Sequence, residues 1–229
     1  LITRVIVGTV DRRNDANHGP LESFTMNPTH GINHHGIRLL RAADPRVRRI
    51  RRSLPKASAH GNKIWRSSLA IMDYFIDNPL PTRSRVLDIG CGWGAVAVHL
   101  AKHFDADVTA LDIDPRVGPL VNLHCDINNC RVNFVARDLA TLGHDEVASY
   151  NWLVGADICF WDAIVEPLFN LIARTDEPKR PSILIADPGR PPFWELADLC
   201  VAEFGAEVIS RNSYAPRRAQ TFFLRIENN

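Results

Sequence analysis

Three carboxylates stand where apolar runs end, each beside backbone that must turn sharply. Val86-Leu87-Asp88-Ile89-Gly90-Cys91-Gly92-Trp93-Gly94 carries an apolar run straight into a glycine-dense turn and then a helical stretch. Glycine is needed there because a Cβ would block close approach of the backbone to a ligand, and because the turn takes dihedrals other residues avoid. Asp88 places a carboxylate at the strand end, beside the loop. Asp112, in Val108-Thr109-Ala110-Leu111-Asp112-Ile113-Asp114-Pro115, follows Asp88 by 24 residues. Its two oxygens suit the paired hydroxyls of a ribose, while Asp114 before Pro115 reads as a helix cap. Asp138, in Val135-Ala136-Arg137-Asp138-Leu139, can accept from an exocyclic amine or cap the next turn. The chemistry in prospect is the holding of a nucleoside that carries a positive charge.

Two cofactors compete for this loop. Gly90, Gly92 and Ala95 formally fit the dinucleotide pattern Gly-x-Gly-x-x-Gly/Ala. Against that reading, the third glycine is Gly94, and Asp88 lies where it would repel a pyrophosphate. The same carboxylate suits the ammonium of a methionine moiety, so S-adenosyl-L-methionine is the expected cofactor, with Asp88, Gly90, Gly92, Gly94, Asp112 and Asp138 around it. A second group of residues follows in Gly155-Ala156-Asp157-Ile158-Cys159-Phe160-Trp161-Asp162. Asp157 at a strand edge could orient an amine or cap a helix. Phe160 and Trp161, with Trp65 upstream, could wall a channel and attract a cation to their faces, although Trp161 could equally be packing. Trp65 and Ala156 are counted with the cofactor, and Asp157, Phe160 and Trp161 with the reaction.

The elements that must position these residues alternate. Strand-like runs are expected at 85–89, 107–112, 131–136, 152–156 and 182–186. Helices are expected over about 95–104, 115–128, 163–173 and 192–204. Such alternation argues for a parallel sheet covered on both faces by helices. Two further strands, 206–214 and 221–227, are joined by the turn-prone Ala215-Pro216-Arg217-Arg218. Upstream, Ile64 to Asn78 reads as a helix stopped by Asn78-Pro79-Leu80-Pro81. Asp44 is a helix N-cap with Pro45 at the first helical position, and Val47, Ile50 and Leu54 recur at helical spacing. Residues 36–82 therefore read as a helical extension. Residues 1–35 show no sustained period and read as disordered or loosely packed. Because the chain opens on Leu1, translation from Met26 is an alternative, with residues 1–25 an over-extended reading frame.

Composition narrows the classes. Hydrophobic residues make up 45% and the formal net charge is +1, which suits a soluble globular chain and gives no global argument for nucleic acid or an anionic membrane. No apolar run approaches the roughly 20 residues of a membrane span. The five cysteines are scattered and odd in number, so they read as reduced thiols in the cytoplasm. Cys125 and Cys130 lack a second ligand pair, and no metal is expected. Charge is locally uneven: from Arg46 to Lys56 there are six basic residues and no acid. That stretch is either a solvated helix face or a docking surface, through Arg46–Arg52, for RNA or an acidic protein.

The loop and its two following acids, in this order and spacing, resemble the class I, seven-β-strand S-adenosylmethionine-dependent methyltransferases, over about residues 60–229. The resemblance implies an α/β Rossmann-like doubly wound sheet of seven strands, mostly parallel with an antiparallel C-terminal strand, occupying 83–229 as the methyltransferase domain. Asp157-Ile158-Cys159-Phe160 looks like the Asp-x-x-Tyr/Phe signature of the protein-lysine methyltransferase group, with Phe160 where Tyr is common. Asp187-Pro188-Gly189-Arg190 is similar to the branch acting on the electron-transfer flavoprotein β subunit. Gly61 to Trp65 is similar to a segment shared with nicotinamide-methylase-like relatives. The acceptor so implied is an amine nitrogen, first a protein lysine. A small-molecule amine and RNA are the other acceptors, and a cofactor-binding scaffold subunit is the non-enzymatic reading. Oligomeric state is not legible.

Overall fold

The computed structural model describes residues 30–54, 63–174, 180–213 and 219–228. Residues 1–29, with the Met26 question, lie outside the described residues. The first elements correct the sequence reading. Residues expected to be loose or helical form a hairpin, β1 (Gly31–His34) and β2 (Ile37–Leu40), paired His34 to Ile37 across the turn. His35 and Gly36 both take positive φ, 49° and 75°, as the tightest hairpin turns require. His-Gly carries this turn without the Asn-Gly or Asp-Gly that would have signalled it.

The edge of β2 is completed by side chains. Arg38 N donates to Asn128 Oδ1 at 2.8 Å, and Asn128 Nδ2 donates to Arg38 O at 2.9 Å. Leu40 N donates to His124 Nε2 at 2.9 Å. His124 Nδ1 must then carry the proton and donate to Leu120 O, 2.9 Å away. Burial pushes this imidazole down to about 4, in keeping with a neutral ring. Helix α1 (Pro45–Ser53) starts as expected, with Asp44 accepting from Arg46 N at 2.9 Å. It buries Val47 against Leu40, Trp93 and Leu120 and leaves its arginines exposed.

Helix α2 (Arg66–Asp77) leads into the alternating region. There follow β3 (Arg85–Ile89), α3 (Ala95–Phe104), β4 (Asp107–Asp112), α4 (Gly118–Asn128), β5 (Asn133–Ala136), α5 (His144–Ala148), β6 (Trp152–Ala156), α6 (Val165–Ala173), β7 (Ser182–Asp187), α7 (Pro191–Phe204), β8 (Glu207–Ser213) and β9 (Ala219–Ile226). The seven strands from β3 onward form one sheet in the order β5-β4-β3-β6-β7-β9-β8, with β9 antiparallel to both neighbours. This is a Rossmann-like methyltransferase fold. The predicted strand at 131–136 begins two residues later, and a 3₁₀ turn at Pro115–Val117 precedes α4. Helix α5 escaped the sequence reading because five residues are too short to show a period.

Strand alternation divides the core. Along β7, Leu184 and Ala186 face a layer with residues of α2, α3 and α4, while Ile183 and Ile185 face α6 and α7. Both faces are covered, as apolar parallel strands require. The chain proceeds outward from β3 through β4 to β5, then returns to the other side for β6. That reversal opens a crevice at the carboxyl ends of β3, β4 and β6. Replacing Asn128 by Ala should cost about 2 kcal/mol of stability, since it orphans a backbone donor and acceptor of β2. Denaturant melts should register the loss, and hydrogen exchange should show reduced protection at the Arg38 amide.

Candidate active site

The crevice holds a cavity of about 280 Å³. The β3–α3 loop forms its floor, and two positions show why that loop is glycine-rich. Gly90 sits at φ 62°, and a Cβ there would come within 2.6 Å of Ile158 Cγ2. Gly92 sits at φ 52° with no atom within 4 Å of where its Cβ would be, on the cavity side. Gly94, at φ 78°, is the N-cap of α3 and lies beside Val121 rather than lining the cavity.

The three strand-end acids have divided roles. Asp112 lines the cavity, its Oδ2 accepting from Gly92 N at 3.0 Å and its Oδ1 from Asp114 N at 2.9 Å. Asp114 is the cap, accepting from Arg116 N at 3.0 Å. Asp138 lines the cavity and also caps the next turn, accepting from Ala140 N at 2.9 Å. Asp88 corrects the sequence reading. Expected to face a cationic group, it is instead 2% exposed beneath the loop and accepts from Ala97 N of α3 at 3.1 Å. Burial, with Asp112 nearby adding to it, pushes its carboxyl up to about 8. Burial also raises Asp112.

On the opposite side, β6 ends in Ala156 and Asp157, both lining the cavity. Asp157 has φ 56°, and its N–H donates to Ala186 O at 2.8 Å. Both of its oxygens are engaged: Oδ2 accepts from Ser67 N at 3.0 Å and Oδ1 from Arg190 Nη2 at 2.9 Å. The expected amine-orienting acid is thus also a cap, holding the N-terminus of α2 across the fold. Arg190 donates through Nη1 to buried Asp187 Oδ2 at 2.5 Å. Its guanidinium lies 3.9 Å from the Phe160 ring centroid. Arg190 lay in a motif noted for resemblance alone, and its pairing with Asp157, 33 residues away, had no local signal.

Trp65, Phe160 and Trp161 come together at the cavity rim, as expected. Ring centroids are 5.0 Å apart for Trp65 and Phe160 and 5.8 Å for Phe160 and Trp161, and Trp161 is 58% exposed. Lining residues that the sequence reading did not count include Lys63 and Ile113. Lys63 lays its Nζ 3.8 Å from the Trp65 ring centroid. Ile113 is 72% exposed and lines the cavity, as does Leu139; its place directly after a strand-end acid was the available signal.

The Asp88 carboxyl gives a signed expectation. Its folded value, about 8, exceeds the ordinary 3.8, so the stability it contributes is present at acid pH and is lost as pH rises toward about 8. Asp88→Asn keeps the acceptor for Ala97 N and removes the titration. The stability of Asp88→Asn relative to wild type should therefore increase from about pH 5 to about pH 8 in thermal melts. A difference that does not change with pH would contradict the burial argument.

Comparison with known proteins accords with this geometry. Residues 86–179 match a family described as a methyltransferase domain. The electron transfer flavoprotein beta subunit lysine methyltransferase of Xenopus laevis is 35% identical over 132 residues, 56% of this chain and 52% of the relative. That of Homo sapiens is 30% identical over 133 residues, covering 56% and 49% respectively. The chain thus spans about half the length of these curated relatives. A methyltransferase from Pyrococcus furiosus superposes with a TM-score of 0.54 at 14% identity, over 79% of this chain and 94% of that one. Residues 86–179, which match the methyltransferase-domain family, lie within the seven-strand Rossmann-like sheet that such solved structures share.

Proposed function

We propose that this protein is an S-adenosylmethionine-dependent methyltransferase acting on a protein lysine. The observation that carries the acceptor type is the rim, where Trp65 already holds a lysine ammonium, that of Lys63, at 3.8 Å. Flat aromatic faces attract cations without tight directional demands, so the rim suits an incoming lysine side chain. The relatives from Xenopus laevis and Homo sapiens, both lysine methyltransferases, support the same acceptor.

The residues present suit the cofactor. Gly92 leaves an open cradle that a Cβ would fill. Asp112 retains lone pairs on both oxygens for ribose hydroxyls, Asp138 stands beside it, and Ile113 and Leu139 offer apolar surface to a flat base. When bound, the cofactor supplies an electrophilic methyl group on a sulfonium. The chain's part is placement and exclusion of water. Trp65, Phe160 and Trp161 strip solvent from the arriving amine. Asp157 and Arg190 fix the strand end and the start of α2, on which Trp65 stands. Lysine nitrogen attacks as the free amine, so its proton must pass to solvent before the rim encloses the amine.

The arginine face of α1 supports a macromolecular acceptor. Val47 and Ile50 seat α1 near Trp93 and Ile64, both lining residues of the cavity. Exposed Arg48, Arg49, Arg51 and Arg52 stand on the outer face of this helix, where they suit acidic surface on a protein carrying the target lysine. The free thiols support a reducing compartment such as the cytoplasm, and among the described residues no helix is long and apolar enough to cross a membrane.

Incubation with radiolabelled S-adenosylmethionine and a lysate split between protease and RNase treatment should give a discrete protease-sensitive band. Gly92→Ala should abolish it while leaving a folded protein. Label lost to RNase alone would make the acceptor RNA, and label confined to small molecules would make it a free amine. Changing the four arginines to Ser should raise the apparent KM roughly five- to tenfold, taking about 0.3 kcal/mol for each exposed contact. The effect should shrink at high salt, and an unchanged KM would leave α1 a solvated face.

A further inference from the structure

We propose that His34, His35 and Asp73 form a binding site for a divalent zinc-type metal ion, apart from the cofactor cavity. His34 Nε2 and His35 Nε2 both lie on Asp73 Oδ1, at 2.8 Å and 2.6 Å. One ligand atom from each of the three falls within 4.8 Å of the others. Ligands about 2.0–2.2 Å from a tetrahedral zinc stand roughly 3.3–3.5 Å from one another, so small side-chain rotations convert this cluster into three ligands.

The backbone is arranged to make it. Neighbouring residues of a strand point to opposite sides, which would keep one histidine off Asp73. His35 instead takes φ 49° in the hairpin turn, and the two rings lie with centroids 4.4 Å apart on one carboxylate. A non-glycine residue in the left-handed region is a strained choice, and its result here is convergence of two imidazoles. The three side chains are 27%, 26% and 25% exposed. An ion can reach them, and water can fill its remaining position.

His99 of α3 is fully buried with its ring centroid 6.2 Å from His35 and 4.7 Å from His103. Neither of its nitrogens has a hydrogen-bond partner among the described residues. Buried imidazoles are rarely left unsatisfied, and this one is packed against His35 although it is not one of the three ligands. His103 Nε2 bonds His35 O at 2.7 Å and fixes the turn to α3.

Two imidazole nitrogens and one carboxylate oxygen select for zinc and its first-row neighbours over magnesium or calcium, which take oxygen ligands. The ion would replace the Nε2 protons now pointing at Asp73, each ring carrying its proton on Nδ1 instead. It would clasp the β1–β2 hairpin to α2, the helix that begins at Trp65.

The test uses the full chain without a histidine tag. Zinc titration by calorimetry should give one site per chain, unaffected by excess magnesium. Asp73→Asn and His35→Gln, which keep hydrogen-bonding capacity, should each weaken it at least about tenfold. Zinc should raise the melting temperature of the wild type and of neither variant. Cobalt should give visible bands without the near-ultraviolet thiolate absorption that binding at Cys125 and Cys130 would produce. Failure to saturate, zinc affinity that survives either substitution, or thiolate absorption overturns the site. Should Asp73→Asn fail to fold by circular dichroism, His35→Gln decides.

Discussion

The bridge from Arg190 to Asp157 and Asp187 is the constraint on which the acceptor side of this site rests. β6 and β7 are neighbours, and each ends in a buried acid. Two carboxylates side by side in a low-dielectric strand end would repel, and both would lose solvation. One guanidinium reaches both, at 2.9 Å and 2.5 Å, with the fork geometry that suits arginine to paired carboxylates. Burial still wins at Asp187, whose carboxyl stays raised despite that partner. Removing the cation would strand two charges, which costs far more than the pair contributes. The same Asp157 holds the first turn of α2, so the aromatic rim is fixed by this one ion pair network.

On the cofactor side the balance is reversed. Asp112 adds to the rise at Asp88, Asp114 adds to that at Asp112, and neither Asp88 nor Asp112 has a cationic hydrogen-bond partner among the described residues. Asp88 accepts from Ala97 N, and Asp112 accepts from Gly92 N. These bonds shape the loop, so the acids serve first as its scaffold. Ionising both acids here is unfavourable, a condition that a cationic ligand would relieve. The acidic half of the crevice at β3 and β4 and the arginine-bridged half at β6 and β7 are therefore poised differently by the same strand ends.

The central sheet was legible because each of its strands carries a local record of its environment. β3, β6 and β7 are continuous apolar runs, and each meets a glycine or an acid where the sheet stops. The glycine loop, Asp112, Asp138 and the aromatic trio were found for that reason, since type and spacing along the chain determine where they sit. What sequence could not supply was partnership across long separations. Asp157 reads as an exposed strand-end acid until folding delivers Arg190 and Ser67. Asp88 reads as a ligand group because nothing local reveals that α3 folds over it. The hairpin was missed because its turn is His-Gly and its strands have four residues each, too few for a period of two to stand out.

Helix α2 shows how these long-range contacts are used. Its first turn is held by Asp157 from β6, its middle by His34 and His35 from the hairpin, and its end by Arg211 of β8 through Asp77 at 2.9 Å. Between those points Tyr74 packs on Phe223 and Phe75 on Trp152, ring centroids 5.8 Å and 5.3 Å apart. Three anchors from three distant parts of the chain leave α2 little freedom to slide or tilt. Trp65, at its N-cap, inherits that rigidity, and with it the placement of the rim. The elements that place this rim lie outside the repeating strand–helix units, where the sequence carries little local record of what it will meet.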